Sequence, residues 1–124
     1  MYSVRVEADF AAAHFLSHYR GKCERIHGHN YRVRLWARGD ALDEGGLLAD
    51  FGVLKKALRE TLAPLDHANL NDNPVFQNDP SAERIARYIL EETVRGLPPE
   101  EAELVWAVDV YETPTSMARY SRGE

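Results

Sequence analysis

The chain has 124 residues, 15 Lys plus Arg against 20 Asp plus Glu, a formal net charge of −5 and one cysteine. That length suits one domain spanning 1–124. No run of about 18 apolar residues is present to span a bilayer, and the N-terminus lacks the charged and then apolar layout of a secretory leader, so a soluble, cytoplasmic chain with no membrane partner is expected.

From Tyr2 to Phe10 the even positions are apolar and the odd ones polar, which predicts a half-buried strand. A second alternating run, His27 to Ala37, puts Tyr31, Val33, Leu35 and Ala37 on one face and Arg32, Arg34, Trp36 and Arg38 on the other, and predicts a strand antiparallel to the first. The period then changes: Phe51, Leu54, Leu58 and Leu62 recur at three- and four-residue steps behind Asp50, a good N-cap, and predict a helix ending near Pro64. After a loop rich in Asn, Asp and Pro, Asp79-Pro80-Ser81 opens a second helix with Ala82, Ile85, Ala86 and Ile89 on one stripe and Gly96 beyond its end. Leu104, Trp106, Val108 and Val110 alternate with Asp109 and Tyr111, and a Thr-Pro-Thr-Ser turn leads to a last stretch at Met117 to Tyr120, so the chain closes on a hairpin. The order ββααββ gives an α+β fold, a four-stranded antiparallel sheet with both helices on its apolar face. The other face, with Arg5, Glu7, Asp9, Arg32 and Arg34, is either solvated or lines a polar space inside an oligomer.

The acidic balance argues against general nucleic-acid binding, since neutralising phosphates takes a basic surface. Yet residues 17–39 hold six basic side chains against one acid, Glu24, so a local anion site is compatible with an acidic protein. Arg20, Lys22 and Arg25 surround Cys23; the arginines of the second strand are equally readable as a solvated face.

His27-Gly28-His29 opens the second strand, where residues two apart share a face, so the two imidazoles converge. His14, just after the first strand, comes close if the two strands pair. Three imidazoles suit Zn²⁺, with Fe, Cu or Ni also compatible, and leave a fourth position open, as catalytic zinc requires. The competing readings are a structural His-x-His with no metal, and a closed four-ligand site in which Cys23 completes a non-catalytic zinc module. A lone cysteine cannot form an internal disulfide, and the cations beside Cys23 would lower its pKa and make its thiolate a candidate base. Asp66-His67 supplies a carboxylate and an imidazole for a proton relay, though such a pair in a polar loop also serves as a cap or turn. Glu112 ends an apolar strand face; a carboxylate there either meets solvent or grips the adjacent N–H groups of a flat aminopyrimidine.

Cys23-Glu24-Arg25-Ile26-His27-Gly28-His29-Asn30-Tyr31, then Asp50-Phe51-Gly52, Leu65-Asp66-His67, Pro80-Ser81-Ala82-Glu83 and Tyr111-Glu112-Thr113, resemble in order the 6-pyruvoyl-tetrahydropterin synthase superfamily. The three-residue gap between Cys23 and His27 resembles its 6-carboxy-tetrahydropterin synthase branch, which belongs to the 7-deazaguanine (queuosine) pathway. The resemblance implies a tunnelling fold, or T-fold, assembled as a trimer or hexamer with pockets at subunit interfaces. It implies zinc on His14, His27 and His29, Cys23 as catalytic thiol, Asp66 and His67 as its relay partners, and Glu112 as pterin anchor. Ser81 stands where relatives often have Thr and is a candidate pterin contact; Arg25 and Lys22 are candidate triphosphate contacts, or else intersubunit salt bridges. The implied reaction takes 7,8-dihydroneopterin triphosphate to 6-carboxy-5,6,7,8-tetrahydropterin with loss of acetaldehyde and triphosphate; the sister reactions are the 6-pyruvoyl synthase and a dihydroneopterin side-chain lyase.

Overall fold

The structure is a computed structural model that describes residues 1–21 and 24–123. Among these the strands are β1 (Tyr2–His14), β2 (His27–Gly39), β3 (Ala68–Asn69), β4 (Val105–Thr113) and β5 (Ser116–Ser121), and the helices α1 (Phe51–Leu62), α2 (Ala82–Gly96) and α3 (Pro99–Leu104). The sheet order is β3-β1-β2-β4-β5. β1 and β2 pair antiparallel without interruption from Tyr2 opposite Gly39 to His14 opposite His27, so the alternation read from each strand is one shared pattern. Phe10, Tyr31, Val33, Leu35, Val108 and Val110 are buried on one face, where Leu54, Leu58 and Leu62 of α1 and Ile85, Ile89 and Leu90 of α2 cover them.

The helix ends follow from their caps. The Asp50 carboxylate accepts from the Gly52 amide, and Ser81 Oγ accepts from the Arg84 amide, each satisfying a donor that the first turn leaves open. Phe51, expected on the buried stripe of α1, is instead 51% exposed, because it is the first helical residue and lies beyond the reach of the sheet. No helix among the described residues is long and apolar enough to cross a membrane.

The architecture departs from the expected one in three places. The sheet has five strands and is mixed: β3 runs parallel to β1, pairing Ala68 with Ala12 and Asn69 with Ala13. Pro99, with Glu100 and Glu101 behind it, starts the short helix α3, which removes Leu104 from the strand. The register of β4 on β2 then slips between Trp36 and Ala37, so Val105 takes the core position opposite Ala37 while Trp106 turns to the polar face. There Arg38 stacks on Trp106 with its guanidinium carbon 4.2 Å from the ring centre.

The polar face carries a connected network of ion pairs, part of it open to solvent at Arg32 and Asp9. Arg32 grips Asp9 through Nε at 2.8 Å, and Arg34 reaches Glu7 at 2.6 Å and donates to the Tyr111 hydroxyl at 3.0 Å. Asp109, 2% exposed, accepts from Arg119 Nε at 2.6 Å and from Trp36 Nε1 at 2.8 Å, which compensates for the burial of its charge.

Candidate functional site

His14 ends β1 and His27 opens β2 directly opposite it, both on the helix-covered face, with His29 two residues on. Strand parity brings the rings together. A Cβ at Gly28 would meet only the Ala12 carbonyl, at an ordinary 3.6 Å, so the glycine is not what permits convergence. The three ring centres are 4.7, 5.0 and 4.9 Å apart in pairs, and the buried Tyr31 ring, stacked on Phe10, lies beneath His14 and His29.

Hydrogen bonds fix which nitrogens face inward. His14 Nδ1 lies 2.9 Å from the Pro80 carbonyl oxygen, and His27 Nδ1 lies 2.9 Å from that of Arg25. A carbonyl can only accept, so in each case Nδ1 carries the proton, and in the neutral ring Nε2 is a bare lone pair. The two Nε2 atoms face each other at 3.1 Å. Lone pairs at that distance repel unless a proton or a cation lies between them, and about 3.3 Å is the spacing of two nitrogens tetrahedrally bound to one Zn²⁺. His29 Nε2 is buried and makes no well-aligned hydrogen bond among the described residues, although the Glu112 carboxylate stands 3.1 Å away. Burial pushes its pKa below the ordinary imidazole value, His14 and His27 push the same way and Glu112 opposes them, so the ring is held neutral as a ligand must be. The donor set fits a divalent cation.

Glu112 is the residue whose place the sequence left least determined. The pairing of β4 with β5 slips between Tyr111 and Thr113, so Glu112 is the extra residue of a bulge. Its Oε1 lies 3.1 Å from His29 Nε2 and 3.7 Å from His14 Nε2, and the four side chains place one ligand atom each within 4.8 Å of one another. The expected edge-of-core carboxylate is there, and its nearness to the histidines is what sequence reasoning missed.

Asp66 and His67 lie elsewhere. Asp66 Oδ1 accepts from the Ala11 amide at 2.9 Å, His67 N–H donates to the Ala11 carbonyl, and the two side chains meet at 3.0 Å. His67 is held at φ +58°, a left-handed conformation costly for a non-glycine residue and imposed here by the bonds to Ala11. The Ala11 amide, and then His67, hold the Asp66 carboxyl below its usual range, so it is ionised at neutral pH. His67 lines a groove of about 470 Å³ that His29, Gly28, Asn30 and Ala11 also line, and Asp66 lines another of about 660 Å³ with Asp9, Arg32 and Arg34. The pair thus sits at the edge of the sheet beside β1, and among the described residues no hydrogen bond or ion pair joins it to His14, His27 or His29.

Of the remaining candidates, Arg25 is exposed beside the site and its carbonyl orients His27. Ser81 Oγ is engaged as the α2 cap, accepting from Arg84, with its O–H still able to donate. Cys23 and Lys22 lie outside the described residues. Next to them, Glu24 exchanges two bonds with Leu16, its amide donating to the Leu16 carbonyl and its carboxylate accepting from the Leu16 amide, both at 2.9 Å.

Residues 3–123 match the family model described as 6-pyruvoyl tetrahydropterin synthase. The chain is 41% identical to the 6-carboxy-5,6,7,8-tetrahydropterin synthase of a Synechocystis species, over 97% of this chain and 93% of that one. It is 37% identical to the protein of the same name from Bacillus subtilis, over 96% and 86%. The solved structure of Caenorhabditis elegans 6-pyruvoyl tetrahydropterin synthase superposes with a TM-score of 0.86 at 26% identity, covering 98% of this chain and 96% of that one. With the five-stranded sheet, the covering helices and three converging imidazoles in place, the chain belongs to the 6-pyruvoyl tetrahydropterin synthase family of lyases.

Proposed function

We propose that the protein converts 7,8-dihydroneopterin triphosphate to 6-carboxy-5,6,7,8-tetrahydropterin, releasing acetaldehyde and triphosphate, as a zinc-dependent cytoplasmic homo-oligomer in 7-deazaguanine synthesis. The observation that carries it is the pair of facing Nε2 lone pairs, each fixed by a carbonyl behind its ring, with His29 completing a three-nitrogen site. The branch rests on the two relatives named as 6-carboxy-tetrahydropterin synthases.

His14, His27 and His29 would hold Zn²⁺, which when bound polarises the hydroxyls of the substrate side chain and lowers their pKa. The chain's own groups do the rest. Cys23, as thiolate, takes a proton from the side-chain carbon, and Asp66 with His67 serves the opposite proton transfer. Glu112, 31% exposed at its bulge, offers two acceptor oxygens to adjacent N–H groups of the pterin. Arg25 and Lys22 contact the triphosphate, and the Ser81 hydroxyl donates to the pterin.

The place of Asp66 and His67 at the β1 edge, bonded to Ala11 and to each other, gives this reading a structural consequence. A pocket that uses both the histidines and the Asp66–His67 pair takes them from two copies of the chain, which accounts for the 83% exposure of the His67 side chain in a single copy. Cys23→Ala and His67→Ala proteins are each expected to be inactive, whereas an oligomer assembled from equal amounts of both regains about a quarter of wild-type turnover, because that share of sites is intact on both sides. A mixed assembly that stays inactive would place both groups in one chain and overturn this arrangement.

A further inference from the structure

The segment ahead of α2 holds both the histidine site and the chain that leaves β1. The Pro80 carbonyl orients His14, and the preceding residue, Asp79, turns its carboxylate the other way. Asp79 Oδ1 accepts from Ser17 N–H at 2.6 Å, from Ser17 Oγ at 2.9 Å and from His18 N–H at 3.1 Å, and Oδ2 meets His18 Nδ1 at 2.7 Å. Asn71 holds Phe15, two residues ahead of Ser17, at both ends, accepting from the Phe15 amide at 2.8 Å and donating to the Phe15 carbonyl at 2.9 Å. The Leu16 and Glu24 backbones pair behind. Four bonds on one carboxylate are more than a turn needs. The His18 and Ser17 donors hold the Asp79 carboxyl down at about 2, so it accepts at every physiological pH.

We propose that Asp79 is a positioning residue for the reaction: by pinning Ser17 and His18 it fixes the start of the connection between β1 and β2, in whose sequence Cys23 lies. This rests on the reading of Cys23 given above. Asp79 touches no reacting group and acts only through the backbone it holds.

Asp79→Ala removes all four acceptor contacts, whereas Asp79→Asn keeps the three on Oδ1 and can donate from Nδ2 to the other tautomer of His18. With zinc-loaded protein, Asp79→Ala is expected to lower kcat at least about tenfold with little change in KM. It should keep its metal content and melting temperature, and Asp79→Asn should restore most of kcat. Because the chain has a single cysteine, the pH profile of iodoacetamide alkylation reports its environment directly, and it should shift in Asp79→Ala and return in Asp79→Asn. Tryptic cleavage at Arg20, Lys22 and Arg25 should quicken about tenfold in Asp79→Ala as the segment is released. Wild-type kcat in Asp79→Ala overturns the proposal, whatever the cleavage rate. So does loss of metal, which would mean that Asp79 serves His14 through Pro80. If Cys23→Ala turns over normally, the functional reading fails on its own, and the tryptic rates still decide whether Asp79 holds the segment.

Discussion

Cys23→Ala is expected to lose turnover by about three orders of magnitude while retaining its metal and its melting temperature, since removal of a positioned acid–base group typically costs 10²–10⁴-fold. The size of the effect follows from what remains. The histidines, Glu112 and the Asp66–His67 pair are untouched, so substrate still binds and the relay is still present, but the base that the proposed mechanism requires is gone. Steady-state rates set beside metal analysis and a thermal melt check it. A variant within a few-fold of wild type would remove the thiol from the chemistry, and one that loses metal would make Cys23 a ligand and the site a closed one.

Removing the metal gives the second large effect. Chelation is expected to reduce turnover to background and zinc to restore it, with the far-ultraviolet dichroism and the oligomer unchanged. His27→Ala should weaken metal binding by more than about 100-fold, since loss of even an outer partner of a metal ligand costs 10–100-fold. The fold should survive because its core does not depend on the site: Leu54, Leu58, Ile85, Ile89, Val33 and Leu35 are fully buried, and β1 and β2 pair over their whole length. A non-catalytic zinc module would behave in the opposite way, coming apart on chelation, as domains folded around a structural metal do. Calorimetry and sedimentation of the apo-protein separate the two.

Much of this was legible in the residues because the long elements obey a single period. The alternation in Tyr2–Phe10 and His27–Ala37 survives in the structure as one unbroken ladder, and Asp50 and Ser81 cap the two long helices where their side chains predict. What was missed is short or depends on a partner. β3 has two residues, too few to show a period, and joins β1 only because α1 returns the chain there. The Pro98-Pro99-Glu100-Glu101 run carries a helix start, a proline in the first turn followed by acids, but the helix it opens has only 6 residues, too few to show a period. Trp106 was expected on the core face because period-two reasoning assumes an even register, and the bulge opposite Trp36 breaks it. The histidines were found because they lie on two strands whose pairing their own pattern fixes. The nearness of Glu112 needed the pairing of β2 with β4, where Val33 faces Val110 and Leu35 faces Val108, which carries Glu112 to the end of the core face beside Tyr31 and His29. The siting of Asp66 and His67 at the sheet edge had no local signal at all, since it is set by where the loop after α1 meets Ala11.

The most direct measurement is to incubate the zinc-loaded protein with 7,8-dihydroneopterin triphosphate and identify every released product. Acetaldehyde, triphosphate and 6-carboxy-5,6,7,8-tetrahydropterin in equal amounts are expected. Triphosphate without acetaldehyde would assign the chain to the pyruvoyl reaction, and an intact substrate beside fully metal-loaded protein would contradict the catalytic reading altogether.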